Sequence, residues 1–292
     1  MTRRTELALR RRWRGVEVYQ GRVFCKSGSL GCGRSRNPAF VYQSFFGPPS
    51  NCHPLNHASP DIDCFGVDGR QLDLDGLIAT PIVRALKVRR ASSLSGLEKL
   101  PKLEALDLDE PESLVGLSAL TRLKYLSMSH FTRIHSLQLL GALTTLTGLS
   151  LSTIASWDAS GRVLSVESFV PLSKLIHLEA LNLMGVWPED GSLEPFYRLK
   201  QIRYLNISHV RQFRLMDFVR LARALPETKG NCLKPYYFLP QISARCRKCK
   251  GPGDMAILTG SRPKTRRTLC ESCDAGKLAE HVAAWDEAMG SA

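Results

Sequence analysis

Four cysteines near the C-terminus form the most specific chemical pattern in the sequence. They make two Cys-x-x-Cys pairs separated by 20 residues, Cys246 with Cys249 and Cys270 with Cys273. Each such turn directs two thiolates at one point, and two turns complete a tetrahedron of sulfur ligands. Because four thiolates leave no coordination position open, the pattern predicts a structural zinc ion. Two independent redox-active pairs are the alternative, which the paired spacing disfavours.

Basic side chains surround both cysteine pairs. Residues 245–273 carry eight basic and two acidic side chains, and those nearest the cysteines include Arg247, Lys248, Arg266 and Arg267. Basic clusters attract phosphates, so nucleic acid is one class of partner. The alternative is that these cations offset the negative charge of a metal ion bound by four thiolates. No aromatic platform on which bases could stack lies between the pairs.

The net charge of +13 over 292 residues is concentrated at the two ends of the chain. Residues 1–36 carry ten basic and two acidic side chains, whereas residues 83–210 carry fourteen basic and twelve acidic ones. The middle of the chain is therefore almost neutral. The basic composition does not by itself assign a nucleic-acid partner to this middle part.

The middle of the chain is an internal repeat. Apolar residues recur at spacings of three, three, three, three and two, in copies that begin at Leu94, Leu114, Leu137, Phe169 and Leu193, with a weaker copy from Leu74. The final pair, two residues apart, lies on one face of a strand, and the spacings of three are typical of 3₁₀ turns. Stacked units of this kind predict a parallel sheet with short helical returns.

This pattern resembles the leucine-rich-repeat family, and the short returns resemble its internalin-type class. The resemblance covers about residues 67–225 and implies an α/β solenoid with a parallel concave sheet that binds other macromolecules. The position at which the family usually has asparagine is apolar throughout: Ala91, Pro111, Phe131, Ile154, Val186 and Val210. Apolar packing must therefore hold that turn in this chain.

The concave face of the predicted sheet is polar and carries two large aromatic side chains. Its candidate partner-binding residues are Tyr125, Ser127, Asn182, Tyr204 and Asn206, and Trp157 joins them from an insertion at 154–167. On this face we expect ion pairs across neighbouring strands, Lys87 with Asp107 and Arg89 with Asp109. A sheet face that is only solvated by scattered Tyr and Ser side chains is the alternative.

Three domains follow from these patterns. Residues 1–60 are a basic segment that we expect to be disordered, residues 61–240 are the solenoid with its caps, and residues 241–292 are a module that resembles a zinc ribbon. A second metal site formed by Cys25, Cys32, Cys52, Cys64, His53 and His57 is a weaker alternative for the first segment, because the spacings are irregular.

The C-terminal part of the chain contains two expected helices and two expected strands. A helix over 215–225 starts the cap of the solenoid, and residues 232–239 pair with the edge of its sheet. In the module, residues 255–259 form a strand and Asp274 caps the last helix. That helix has an apolar stripe, expected to pack on the module or the solenoid, formed by Leu278, Val282, Trp285 and Met289.

No run of about 18 apolar residues is present, and the apolar stretch at the N-terminus is too short for a secretory signal. We therefore expect a cytoplasmic protein with reduced cysteines and no membrane partner, an Arg-rich mitochondrial presequence being the alternative. The sequence contains no P-loop, GxSxG or HExxH motif. It thus predicts a non-enzymatic protein–protein interaction scaffold with a structural zinc module, the alternative being a nucleic-acid-associated protein that uses the basic ribbon.

Overall fold

The structure is a computed structural model. It describes residues 84–153, 164–208, 212–238, 246, 248–249, 255–260 and 268–291, together with the backbone of 16–19, 22–25, 63–68 and 83. In chain order the strands are β1 (Val16–Tyr19), β2 (Arg22–Cys25), β3 (Asp63–Asp68), β4 (Val83–Arg89), β5 (Ala105–Asp109), β6 (Tyr125–Ser129), β7 (Gly148–Ser152), β8 (Leu164–Val166), β9 (Ala180–Met184), β10 (Val186–Pro188), β11 (Tyr204–Ser208), β12 (Tyr236–Phe238), β13 (Met255–Leu258) and β14 (Thr268–Cys270). The two α-helices are α1 (Leu215–Ala224) and α2 (Ala275–Gly290).

A seven-stranded parallel sheet in the order β11-β9-β7-β6-β5-β4-β3 forms the main body of the fold. Equivalent leucines of successive repeats are in register from strand to strand: Leu86, Leu106, Leu126, Leu149, Leu181 and Leu205. All six are buried in one continuous apolar core. Each repeat thus buries its leucines against those of its neighbours, which a single unit could not do.

Short 3₁₀ turns return the chain between the strands. They span Leu97–Lys99, Leu117–Ala119, Gln138–Ala142, Val170–Lys174 and Glu194–Arg198. Hydrogen bonds between residues three apart close these turns, as from the Leu100 amide to the Leu97 carbonyl at 3.0 Å. Side chains three residues apart eclipse in this geometry, so the spacing of three places the repeated leucines on the core side. The predicted parallel sheet with short helical returns is confirmed.

The turn after each strand is held without the asparagine ladder. At the equivalent positions Ala91, Pro111, Phe131 and Val186 are buried, while Ile154 and Val210 lie outside the described residues. The preceding residues are left-handed: Arg90, Glu110, His130 and Gly185 have φ between 54° and 67°. Each donates its amide to the last carbonyl of the neighbouring strand in the sheet, as from Glu110 to Ser129 at 2.9 Å. Apolar packing and this extra hydrogen bond together replace the asparagine.

Two parts of the strand arrangement were not predicted. Strand β3 adds a seventh strand before the first recognised repeat, and it pairs in parallel with β4. Strands β8 and β10 form a separate two-stranded parallel pair. Of the insertion at 154–167, residues 154–163 lie outside the described part of the chain.

The C-terminal cap differs from the prediction for residues 232–239. The edge strand β11 is covered instead by the preceding segment, because Leu205 donates its amide to the Lys229 carbonyl at 2.8 Å. Residues Tyr236–Phe238 pair in antiparallel fashion with β13, and β13 pairs with β14. Strand β12 therefore belongs to the three-stranded sheet of the C-terminal module. Helix α1 and strand β13 lie where the sequence placed them.

Helix α2 packs on both the module and the solenoid. Leu278 lies in the apolar cluster of the module with Ala256, Leu258 and Leu269. Trp285, about two turns further along, is 5% exposed and belongs to the core of the solenoid. Val282 is half-buried, and Met289 is exposed, so the predicted stripe is buried only in part.

Within the predicted disordered segment the structure describes only the antiparallel backbone pair β1–β2, and the rest of residues 1–60 lies outside the described residues. Among the described residues, no helix has the length and apolar character that crossing a membrane requires.

Candidate functional site

In the first cysteine pair, Cys246 and Cys249, a backbone amide of the turn points at the Cys246 sulfur atom. The amide of Lys248 donates to Sγ of Cys246 at 3.4 Å. Hydrogen bonds from the backbone of Cys249 and of Lys248 lower the pKa of the Cys246 thiol to about 6. Such a thiol is largely thiolate at neutral pH, which is the form that binds a metal ion.

The second pair is presented by β14 and the turn that precedes α2. Cys270 is the last residue of β14 and is fully buried, whereas Cys273 is exposed three residues later. The hydrogen bond with Cys249 raises the pKa of the Cys273 thiol to about 12. Four adjacent thiolates repel one another, so their joint deprotonation requires a cation among them.

The two pairs converge on one point. The four Sγ atoms of the cysteine quartet lie within 4.8 Å of one another, and those of Cys249 and Cys270 are 3.9 Å apart. A tetrahedral ion with sulfur ligands at about 2.3 Å places its ligands about 3.8 Å apart. The described cysteines are free thiols. The quartet therefore fits a metal ion with four thiolate ligands and leaves it no open position for catalysis.

Asp274 links the two halves of this centre. Its carboxylate accepts the amide of Cys270 at 3.1 Å through Oδ2 and pairs with Nζ of Lys248 at 2.7 Å through Oδ1. The residue occupies the N-cap position of α2, but its side chain makes no capping hydrogen bond to the helix. The predicted capping role is wrong, because the carboxylate turns back to the cysteine turn. The sequence feature that could have indicated this role is the position of Asp274 directly after the candidate ligand Cys273.

Replacing Asp274 by alanine is expected to weaken metal binding by about 10- to 100-fold, the usual loss when a group that orients a ligand is removed. The variant keeps all four thiols and loses both contacts that join the cysteine turns. Competition with a chromophoric chelator at fixed pH measures the affinity. Glu271→Gln, which changes an exposed carboxylate in the same turn, is the matched control. Equal affinity of Asp274→Ala and the wild type would show that Asp274 does not orient the ligands.

The second candidate site is the outward face of the seven-stranded sheet, opposite the leucine core, for which we keep the name concave face. One row across the strands consists, in register, of Ala85, Ala105, Tyr125, Gly148, Ala180 and Tyr204. Tyr125 and Tyr204 are half-buried, and the two residues between them, Gly148 and Ala180, are small and buried. Three strand spacings separate the tyrosines, about 14 Å at about 4.8 Å each. They flank a floor without large side chains.

The next row is a chain of hydrogen bonds. Nδ2 of Asn206 donates to Oδ1 of Asn182 at 2.6 Å. Nδ2 of Asn182 in turn donates to Oγ of Ser150 at 2.9 Å. The Ser127 side chain bonds to the Asp107 carboxylate in the same row. These contacts fix the amide groups in one orientation, so the sequence-predicted Ser127, Asn182 and Asn206 are brought together on one face.

The charged end of the concave face is internally paired, as the sequence predicts. Nζ of Lys87 lies 3.1 Å from Asp107, and Nε of Arg89 lies 3.5 Å from Asp109. Arg89 also contacts Glu110 at 2.7 Å. Burial raises the pKa of the Asp107 carboxyl even though Lys87 lies beside it. These pairs link β4 to β5, whereas β6, β7, β9 and β11 carry no charged side chain among their outward residues.

Most of the remaining predicted site residues belong to parts of the chain that the structure does not describe. Trp157, Arg247, Arg266 and Arg267 lie outside the described residues, and so do the side chains proposed for a second metal site in the N-terminal segment. Lys248, the described member of the basic group, forms the ion pair with Asp274.

Comparison with known proteins adds solved structures of low similarity. No protein-family model matches the chain, and no curated protein matches it either. The chain is 15% identical to an internalin from Listeria monocytogenes, over 57% of this chain and 46% of that one, with a TM-score of 0.37. For internalin C2 of the same organism the identity is 18%, over 50% and 62%, with a TM-score of 0.33.

A leucine-rich-repeat protein from Leptospira interrogans is 12% identical, over 67% of this chain and 57% of that one, with a TM-score of 0.35. In each case the match spans less than two thirds of the length of the solved chain. The repeat architecture described above therefore rests on the register of the sheet and the 3₁₀ returns of this chain and not on these similarities.

Proposed function

We propose that this protein is a non-enzymatic scaffold that binds a protein partner through the concave face of strands β6, β7, β9 and β11. The observation that carries the proposal is the pair of half-buried tyrosines, Tyr125 and Tyr204, on either side of the small-residue floor Gly148 and Ala180. Tyrosine on a rigid surface gives a large contact area at small entropic cost, and it is enriched among the residues that dominate binding energy.

The polarity of the face supports a protein partner. The centres of protein–protein interfaces are depleted in charged residues. Over β6, β7, β9 and β11 the outward residues are hydroxyl, amide, small, methionine and tyrosine side chains, and the charges of β4 and β5 are paired with one another. The hydrogen-bonded Asn206, Asn182 and Ser150 are already ordered, so less side-chain entropy is lost on binding.

The cysteine quartet holds a structural zinc ion in this proposal. Thiolate ligands favour soft and borderline metal ions, and a closed tetrahedral set of four is typical of structural zinc. When bound, the ion supplies folding free energy to the C-terminal module and no Lewis-acid chemistry toward a substrate. Cys246, Cys249, Cys270 and Cys273 provide the ligands, and Asp274 with Lys248 holds the two cysteine turns together.

Replacing both Tyr125 and Tyr204 by alanine is expected to weaken partner binding by at least about 30-fold, which corresponds to about 2 kcal/mol for one dominant contact residue. The partner is captured from the native source with the wild-type chain, and its Kd is then measured for each variant. Lys174→Ala with Arg198→Ala, exposed on the 3₁₀ returns, is the control and should bind as the wild type does. Unchanged Kd for the double tyrosine variant would contradict the proposal.

A further inference from the structure

The C-terminal module is built onto the last turn of the solenoid. Its first strand, β12, follows the cap segment directly, and its second strand, β13, pairs with β12 through Tyr236 opposite Leu258. The third strand, β14, ends in the ligand Cys270, which lies opposite Met255 of β13. A metal ion bound by the quartet would therefore lie at the end of β14, two strands across the sheet from β12, the strand that continues from the solenoid.

Helix α2 returns from the quartet to the solenoid and makes a second connection. The Trp285 side chain is 5% exposed within the solenoid core. The Arg223 guanidinium of α1 donates to the carbonyl of Ala288 and to that of Met289 at 2.8 Å. A cation at the C-terminal end of a helix satisfies carbonyl groups that have no partner within the helix.

A close backbone approach forms the third connection. Gly260, in the turn after β13, has φ of 66°, and a Cβ atom there would lie 2.6 Å from the backbone of Leu215, the first residue of α1. The Pro235 carbonyl, just before β12, accepts hydrogen bonds from the Thr259 amide and from Nε2 of His281, each at 2.9 Å. The module thus contacts the cap through a strand, a helix and a turn.

The cap in turn holds the edge strand of the recognition face. The Leu205 amide donates to the Lys229 carbonyl at 2.8 Å, and the Ile207 amide donates to Oδ1 of Asn231 at 3.2 Å. Tyr204 and Asn206 alternate with these two residues along β11 and lie on the concave face. The segment that orders β11 is therefore continuous in sequence with the first strand of the metal module.

The module is too small to fold on its apolar core alone. Its described cluster consists of Ala256, Leu258, Leu269 and Leu278, with Tyr236 packed against it. Domains of this size obtain much of their folding free energy from a bound metal. Any contact that the folded module makes with the solenoid is then linked thermodynamically to metal binding.

We infer that metal binding at the cysteine quartet closes the C-terminal cap and thereby orders strand β11, so that the ion regulates the Tyr204 end of the recognition face. The inference rests on the proposed metal site and the proposed concave face. Loss of the ion unfolds the module and releases β12 and α2. The Leu205 and Ile207 amides then open to solvent more often, and Tyr204 and Asn206 lose their fixed positions.

Hydrogen exchange of the full chain, with stoichiometric zinc and after removal of zinc by a chelator, tests this inference. At free zinc about 100 times its Kd, linkage predicts up to about 100-fold slower exchange of the Leu205 and Ile207 amides than in the zinc-free chain. The Leu106 and Leu108 amides of β5, far from the cap, are the internal control and should be unaffected.

A variant that weakens the contact of helix α2 with the solenoid sharpens the test. Arg223→Ala with Trp285→Ala leaves all four thiols in place, so it should still bind zinc. The exchange of β11 should then respond to zinc less than in the wild type, because only the contacts of β12 and of the turn after β13 remain. Bound zinc with identical β11 exchange in the loaded and zinc-free wild type would overturn the inference and leave the metal site standing. No zinc binding by the wild type would overturn the metal site and the inference together, while the tyrosine variants would still test the concave face.

Discussion

Replacing Cys246 and Cys249 by serine is expected to abolish stoichiometric metal binding and to unfold the C-terminal module. The variant removes two of the four ligands, and the remaining two cannot hold a tetrahedral ion tightly. Structural zinc contributes about 10–16 kcal/mol in small zinc-binding peptides, far more than a module of this size gains from its core. Elemental analysis measures the metal content, and hydrogen exchange over β14 and α2 reports the loss of structure.

The control for this variant is Cys232→Ser. Cys232 is buried in the cap, outside the quartet, and its thiol donates to the Leu205 carbonyl at 3.6 Å, a contact that serine can replace. Metal content and α2 exchange should match the wild type in this control. Full metal content in the Cys246→Ser, Cys249→Ser chain would show that the quartet is not the binding site.

Replacing Phe196 by alanine should destabilise the solenoid by about 3–5 kcal/mol. Its ring is fully buried and packs at a tilt of 33° against that of Phe169 in the preceding repeat, with the centroids 5.1 Å apart. Removing the ring leaves a cavity between two repeats, each of which depends on its neighbour for burial. Because typical domains are stable by only about 5–15 kcal/mol, this one change removes a large share of the total.

Urea unfolding followed by circular dichroism measures this loss. Val170→Ala, at a position 56% exposed on the 3₁₀ turn that begins beside Phe169, is the control and should change stability by less than about 0.5 kcal/mol. A cost below about 1 kcal/mol for Phe196→Ala would show that the repeats do not share one core.

The sheet and much of the candidate site could be predicted from the sequence because the repeat itself carries the geometry. Equal spacing places equivalent residues in register, so the pairs Lys87–Asp107 and Arg89–Asp109 follow from counting alone. The convergence of the four cysteines follows from their spacing in the same way. In these cases neighbours in space are determined by position within a repeated or paired motif.

What could not be predicted depends on competition between alternative partners. Strand β12 could pair either with the edge strand of the solenoid sheet or with β13 of the module, and it pairs with β13. Because main-chain hydrogen bonds are the same for every sequence, the sequence does not indicate which of the two strands is the partner. The Asp274 carboxylate could accept a hydrogen bond either from an amide in the first turn of α2 or from the Cys270 amide. It accepts from Cys270, and the ion pair with Lys248, next to the first cysteine pair, favours this orientation. Strand β3 lies before the recognisable repeats, where no periodic leucine spacing marks it.

Oxidative footprinting of the captured complex tests the central claim most directly. Hydroxyl radicals should modify Tyr125, Met184 and Tyr204 on the concave face of the free chain, and they should also modify the exposed Ile176 and Met216 elsewhere. If the concave face binds the partner, the first three side chains are oxidised several-fold more slowly in the complex, while Ile176 and Met216 are unchanged. Unchanged oxidation of Tyr125 and Tyr204, with protection only on the returns or the C-terminal module, would contradict a concave recognition face.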